Sequence, residues 1–396
     1  MNRSASSTQQ VLVDAAHTMG SIAVIRSLGR AGHAVHACSQ NHDALGFKSR
    51  YTNKSAVSPD YESPQFLDFL REYIVDNAIS VVIPSEGFLL AIRASFSEFS
   101  HLLPFSSDES VVYKGLSKWD LFDQLRRRGT DDHLPPYQLL DFVDGEQQLQ
   151  LDEQQYFLKL DEVYRNKEGQ HFPGVLPAQD AEQYSQLIGK VRPFFDRALV
   201  QGFVSGVGCG AFFLVWDGIV VAHFMHLRLH EVPHTGGASS LRKSWWHQAI
   251  YDDALEKVTS LQWQGVVMVE YRWNPESDEF YLMEMNCRFW GSLHLALYAG
   301  VDFPALLVAC HAGHAPPSLV KPSPNELACR YTFPREVQFV WSLWKDARVP
   351  GREKLGAAIR FCGLFFSKRT KSDLWFPGDR FLYWRRFYRF IRDKGA

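Results

Sequence analysis

No stretch of this chain approaches the roughly 20 uninterrupted apolar residues that a membrane-spanning helix needs. Its six cysteines, at 38, 209, 287, 310, 329 and 362, are scattered and never fall into C-x-x-C spacing. That pattern excludes a disulfide framework and a zinc knuckle, and it points to reduced, cytosolic thiols. Positive charge is not in excess: 42 lysines and arginines against 44 acids leave a net charge of -2. A nucleic-acid partner would call for a strongly basic domain, so none is expected. The leading MNRSASSTQQ lacks the long apolar core of a secretory signal, and internal repeats and low-complexity tracts are missing too. Apolar matter is plentiful, at 46% hydrophobic and 14% aromatic over 396 residues, enough for the buried cores of two or three domains. A cytoplasmic globular protein is expected. Its oligomeric state is open, with a homodimer among the options.

Along the chain, "VLVD" at 11–14, a loop, "SIAVIRSLGRAG" and "HAVHACS" read as strand, helix and strand, with Ile22, Ile25 and Leu28 at helical spacing. "FLDFLREYIVDNAI" continues as a helix and "SVVIPSE" as a buried strand ending at Glu86. Residues 1–112 thus form a doubly wound parallel α/β domain. The first loop offers only Gly20, and the second strand ends in Cys38-Ser39-Gln40 without an acid, so a dinucleotide fingerprint is lacking.

From Lys118 a second region begins. "SKWDLFDQLRRRG" is an amphipathic helix, "QYFLKLDEV" a strand and "AEQYSQLIGKVRPFF" a helix. The stretch 197–231 reads as one long hairpin turning at Asp217-Gly218. A helix near 246–260 precedes the strands "GVVMVEYRW" and "EFYLMEMNCRF". The last 80 or so residues, 316–396, read as mostly helical and basic.

The stretch "RLHEVPHTGGASS" at 228–240 contains H-E-x-x-H. As a zinc peptidase motif it would need both histidines on one helical face. Pro233 stands inside the motif, at a cost of roughly 3 kcal/mol to a helix, and Thr235-Gly236-Gly237 is loop chemistry. A zinc site is therefore rejected. A stronger constellation is Glu270, Glu284, Asn286 and Arg288. On a strand, residues 284, 286 and 288 project to one side. Two carboxylates and an amide oxygen suit Mg²⁺, and an arginine beside them suits bound phosphates. Lys159, alone among apolar neighbours in "YFLKL", would ordinarily point to solvent, but beside such a site it becomes a phosphate ligand.

The order of these features, a lysine before a helix, a strand lysine, "VQGFVSG" at 200–206 and E…E-x-N-x-R, resembles the ATP-grasp superfamily. "YLMEMNCRFWGSLHL" looks like the closing E-x-N-x-R-x-W-G-S signature of its carboxylate–amine ligases. The resemblance covers about residues 10–315. It implies an ATP-grasp domain over 113–315, two α+β lobes clasping ATP, after the N-terminal α/β domain. It further implies that Lys118 and Lys159 contact ATP phosphates and that Gln201, Phe203 and Val204 line the adenine pocket. Glu270, Glu284 and Asn286 would hold Mg²⁺, with Mn²⁺ as a substitute, and Arg288 would meet the transferred phosphate. Arg228, Gly236 and Gly237 match the "R-L-R-E-x-P-x-x-G-G-x-S" strand and loop over the reacting phosphate, where backbone amides cradle an anion. Gly202 stands where many relatives carry a glutamate. Lys159 and the loop 161–174 are expected to form a lid.

The implied reaction is ATP-dependent joining of a small-molecule carboxylate to an amine through an acyl phosphate. Its rivals are a carboxylate kinase or carbamoyl-phosphate-type enzyme and a non-catalytic nucleotide-binding regulator. In the basic terminus, Phe381, Trp384, Tyr388 and Ile391 share one helical face. That stripe is expected to pack on the body, with contact to an anionic membrane as the alternative.

Overall fold

The computed structural model describes residues 8–143, 149–151, 155–167 and 170–393, which form three sheets. The first is parallel, ordered β3-β2-β1-β4, from β1 (Gln10–Val13), β2 (Ala34–Ser39), β3 (Lys54–Val57) and β4 (Val81–Ile83). Its first helix, Met19–Ala31, starts where the Thr18 hydroxyl accepts from the Ser21 amide, and Ile22, Ile25 and Leu28 are fully buried, as their spacing predicts. Strand order reverses at β1, which opens a crevice at the carboxyl ends of β1 and β4. β3 went unread because "KSAV" is short and largely exposed, so it carries no apolar run.

The second sheet is antiparallel, ordered β5-β8-β6-β7, from β5 (Tyr137–Asp141), β6 (Tyr156–Leu160), β7 (Val175–Ala178) and β8 (Arg197–Gly202). Its core includes Leu158, Leu160, Phe195 and Val200, with Tyr184 and Val191 of the helix Ala181–Val191. The third sheet has seven strands: β9 (Val207–Trp216), β10 (Ile219–Val232), β11 (Ala238–Ser244), β12 (Gly265–Trp273), β13 (Phe280–Asn286), β14 (Ala328–Arg330) and β15 (Thr370–Ser372). They lie in the order β13-β12-β9-β10-β11-β14-β15. The β9–β10 hairpin turns at Asp217 and Gly218, whose φ values of 50° and 73° fit a type I′ turn. The hairpin does not reach back to residue 197. β8 belongs to the second sheet, and 203–206 joins the two sheets. An apolar run that continues across "VQGFVSG" hides this change of sheet.

Helices Val337–Lys345, Gly351–Gly363 and Phe381–Arg392 make up much of the C-terminal region. β14 and β15 lengthen the seven-stranded sheet, and three-residue strands are too short to show a period. The last helix faces the opposite way to the sequence expectation. Phe381, Trp384, Tyr388 and Ile391 are exposed. Leu382 is buried instead, Tyr383, Phe387 and Phe390 meet Phe333, and Arg385 and Arg389 pair with Asp43. In "FLYWRRFYRFIR" both faces carry aromatic residues, so periodicity alone cannot choose between them.

This region is bolted to the first domain by buried charge. Arg26, fully buried in the first helix, donates through Nε to Asp379 Oδ2 at 2.9 Å and through Nη1 to the Asp373 carbonyl at 2.5 Å. Arg242 of β11 forms a two-pronged pair with Asp373, 2.8 Å on one prong. Removing one partner strands a buried charge, which typically costs about 3–5 kcal/mol. Asp379→Ala should therefore lower the unfolding free energy measured in urea by an amount of that order. A loss below about 1 kcal/mol would show that Asp379 is not the anchor.

Candidate active site

In the β12–β13 ladder, Glu270 stands directly opposite Glu284 and Met268 opposite Asn286, with a bulge just after Glu270. Directly opposed residues hold their Cβ atoms about 5 Å apart, so two carboxylates are forced together. Asn286 Nδ2 donates to Glu284 Oε1 at 2.9 Å. Burial would raise the Glu284 carboxyl, but that hydrogen bond and the charges of Lys159, Lys118 and Arg288 outweigh it and hold it below the usual range. Glu270 goes the other way: burial raises it and Glu284 adds to the rise, against the lowering effect of Arg228. Arg228 on β10 pairs with Glu270, and its Nη1 also donates to Glu231 Oε1 at 3.0 Å and to the Gly237 carbonyl at 3.2 Å.

Across the cleft, Lys159 of β6 is 7% exposed rather than solvated. Its Nζ donates to the Met283 carbonyl at 2.8 Å, and burial lowers its pKa to about 8. Lys118 opens the helix Lys118–Arg128, whose cap Ser117 accepts from the Asp120 amide and donates to Asp161 Oδ2 at 2.6 Å. The other bonds to Asp161 come from the amides of Trp119 and Val163. One buried carboxylate thus fixes the starts of two segments and keeps Lys118 near Lys159. Sequence reading missed Asp161, although an acid two residues after a strand lysine is a capping signal. Arg288 pairs with Glu86 of the first domain at 3.2 Å.

Glu270, Glu284, Asn286, Arg288, Arg228, Lys118 and Lys159 therefore gather where the second and third sheets meet. Gln201 is buried at the edge of this cluster, with Nε2 on the Met283 sulfur and Oε1 without a partner. Phe203 and Val204 lie in the connection between the sheets. Phe203 is half exposed, and its amide donates to the Gln155 carbonyl at 3.2 Å. The loop 161–174 is pinned at its start, where Arg93 donates to the Val163 carbonyl at 2.6 Å. Its residues 168–169 lie outside those described.

The H-E-x-x-H stretch occupies the end of β10 and the turn into β11, not a helix. Its histidines face the C-terminal region. His230 meets Glu336 at 3.1 Å and stacks on Phe339, and His234 meets Asp346 at 3.2 Å and Ser342 at 3.1 Å. Its glutamate, Glu231, is the acid between Arg228 and Arg272. Gly236 and Gly237 turn with φ values of 132° and 150°, and a Cβ on Gly237 would lie 2.2 Å from the Val232 carbonyl oxygen.

Beside these groups lies a cavity of about 400 Å³ lined by Arg228, Arg242 and Arg335, the Ser239 end of the loop, and Gly291. It shares His17, Thr18 and Gly291 with a second hollow of about 360 Å³ at the β1 and β4 ends, which reaches Glu86 and Arg288. Arg242 and Arg335 were not singled out from sequence, because their neighbourhood is made by long-range contacts. Trp290 is mostly core, packed on Phe212 at 4.5 Å and Phe303 at 5.3 Å, and it also contributes to the wall of the 400 Å³ cavity.

No protein-family model and no curated protein matches the chain. Solved structures do. L-amino acid ligase from Bacillus licheniformis matches with a TM-score of 0.58 at 14% identity, over 78% of this chain and 75% of that one. An ADP complex of N5-carboxyaminoimidazole ribonucleotide synthetase gives 0.61 at 11% identity, over 90% and 96%. The biotin carboxylase domain of 2-oxoglutarate carboxylase from Hydrogenobacter thermophilus, with MgADP and bicarbonate, gives 0.60 at 14%, over 82% and 74%. At such identities the likeness establishes the fold: an N-terminal parallel α/β domain followed by an ATP-grasp fold, with a helical C-terminal end.

The glycine turn is directly testable. Gly237→Ala should lower stability by about 1–3 kcal/mol, the usual cost of a strained backbone position, and open 233–240 to proteolysis. Gly189→Ala, helical and with open space around its Cβ, should be neutral or slightly stabilising. Equal unfolding midpoints for the two variants would refute the turn's need for glycine.

Proposed function

We propose that the chain is an ATP-dependent ligase that joins a carboxylate to an amine, releasing ADP and phosphate. The observation that carries this reading is the opposed pair Glu270 and Glu284 with Asn286, ringed by Lys118, Lys159 and Arg288. The fold points the same way, since enzymes of this shape have been solved with ADP or MgADP.

Two close carboxylates and an amide oxygen are the hard oxygen donors Mg²⁺ favours, with Mn²⁺ as a substitute. The opposed carboxylates repel in the absence of a cation, so the donor set fits one. Glu270, Glu284 and Asn286 would hold the metal, whose contribution when bound is to neutralise phosphate oxygens. Lys118 and Lys159 would lie along the phosphates. Gln201 Oε1, buried without a partner, is the group best suited to an adenine edge, because the Phe203 amide is already engaged; Phe203 and Val204 would form the wall beside it. The arginine-lined cavity would take the carboxylate substrate, with Arg228 on its charge and the amides after Gly236 and Gly237 over the reacting phosphoryl group.

In the first step a carboxylate oxygen attacks the γ-phosphorus, and the bond to the ADP oxygen breaks. Arg288 would meet the charge on the transferred group. In the second step the amine nitrogen attacks the acyl carbon, the carbon–oxygen bond to phosphate breaks, and the nitrogen loses a proton. Both steps ask for positioning and charge neutralisation rather than a protein nucleophile, which matches a cleft of lysines, arginines and carboxylates.

Purified protein given ATP and Mg²⁺ should release phosphate when a carboxylate and an amine are both supplied, as with a panel of amino acids, and not with simple carboxylates or simple amines alone. Sustained turnover with a carboxylate alone, with acyl phosphate accumulating as the product, would instead favour a carboxylate kinase. Glu284→Gln should cut phosphate release by about 100-fold or more, as removal of several kcal/mol of charge stabilisation implies. Its melting temperature should stay near that of the wild type. Undiminished phosphate release in this variant would falsify the metal assignment.

A further inference from the structure

The segment 330–332 has a cavity on each side. Tyr331 lines the cleft cavity already described, whereas Arg330 and Thr332 line a larger one of about 820 Å³, between β14–β15 and the last helix. Pockets of roughly 300–1,000 Å³ are the usual size for small-molecule sites. Its walls are apolar, with Phe333, Phe365, Trp375, Trp384 and Phe387 prominent. Its charged lining residues are all cationic, Arg330, Lys368, Lys371 and Arg380, and none of its lining residues is acidic.

Arg330 is the informative member. It is 4% exposed and makes no ion pair among the described residues. Its guanidinium donates to the Phe361 carbonyl at 3.1 Å and lies over the Phe365 ring at 4.1 Å. Burial opposes its charge, and the Glu336 carboxylate offsets only part of that from beyond ion-pair distance, so an anion in the cavity would stabilise it further. The neighbouring chain repeats the pattern. Residues 337–393 carry thirteen lysines and arginines against five acids, and eleven large apolar side chains between 341 and 391 stand exposed, Phe366 at 88%. Trp384 and Trp375 belong both to this exposed set and to the cavity wall.

We propose that this cavity binds an anionic amphiphile, with its hydrocarbon chain among Phe365, Trp384 and Phe387 and its phosphate or carboxylate head on Arg330, Lys368 and Lys371. The site shares no lining residue with the cavities beside the Glu270–Glu284 pair, and its test reads binding alone, so its outcome does not depend on ligase activity.

The probe is dodecyl phosphate below its micelle concentration, followed by calorimetry and by tryptophan fluorescence, which Trp375 and Trp384 should report. One saturable site is expected, at least tenfold weaker for dodecyl maltoside. The double variant Lys368→Gln/Lys371→Gln and the variant Trp384→Ala should each weaken it tenfold or more; Lys368 and Trp384 are exposed, and melting curves check that the fold is kept. Flotation with phosphatidylcholine vesicles containing phosphatidylglycerol separates the sources. Flotation lost in both variants identifies a bilayer lipid, whereas dodecyl phosphate binding without flotation identifies a free amphiphile. The proposal is overturned if neither probe binds, if the maltoside binds equally well, or if either variant leaves binding unchanged.

Discussion

Two glutamates placed opposite each other on neighbouring strands repel, and much of the cleft is arranged around that repulsion. Neither is left alone. Arg228 neutralises Glu270, while Asn286 and three cations hold Glu284 charged. Those cations come from three separate elements: Lys118 from a helix start, Lys159 from the second sheet and Arg288 from the turn after β13. Carboxylates and cations in this cluster thus balance one another.

The supports of those cations are themselves polar and buried. Asp161 ties Ser117, Trp119 and Val163 together, which makes the position of Lys118 depend on β6. Glu231 spans Arg228 and Arg272, so the arginine that faces Glu270 is braced from behind. A half-satisfied network of this kind would be worse than an apolar core. The cost is met because each carboxylate here has at least two donors.

Legibility in the sequence followed the range of the interactions. The first βαβ unit, the Asp217-Gly218 turn and the strands bearing Glu270 and Glu284 were readable, because period and turn chemistry are local. The alternation of Glu284 and Asn286 was local too. The partners Arg242, Arg335 and Asp161 were not, since each matters through contacts made by distant parts of the chain. β3, β14 and β15 have too few residues to show a pattern. The change of sheet after β8 left no mark, because β8 and β9 are both buried. The last helix defeated periodicity for the opposite reason: it has apolar residues to spare on both faces.

The H-E-x-x-H stretch shows how the same letters take their meaning from backbone geometry. On a helix, residues four apart stand on one face and both histidines could reach one ion. On a strand, side chains alternate, and a turn then breaks the alternation. His230 and His234 consequently reach Glu336 and Asp346, ten residues apart on the C-terminal region. Glu231, between them in sequence, points to Arg228 and Arg272 instead. The histidines hold the C-terminal region against the loop while the glutamate braces the cleft arginine. Pro233 and the two glycines after it decide that division of labour, since together they forbid the helix that would have joined the three side chains on one face.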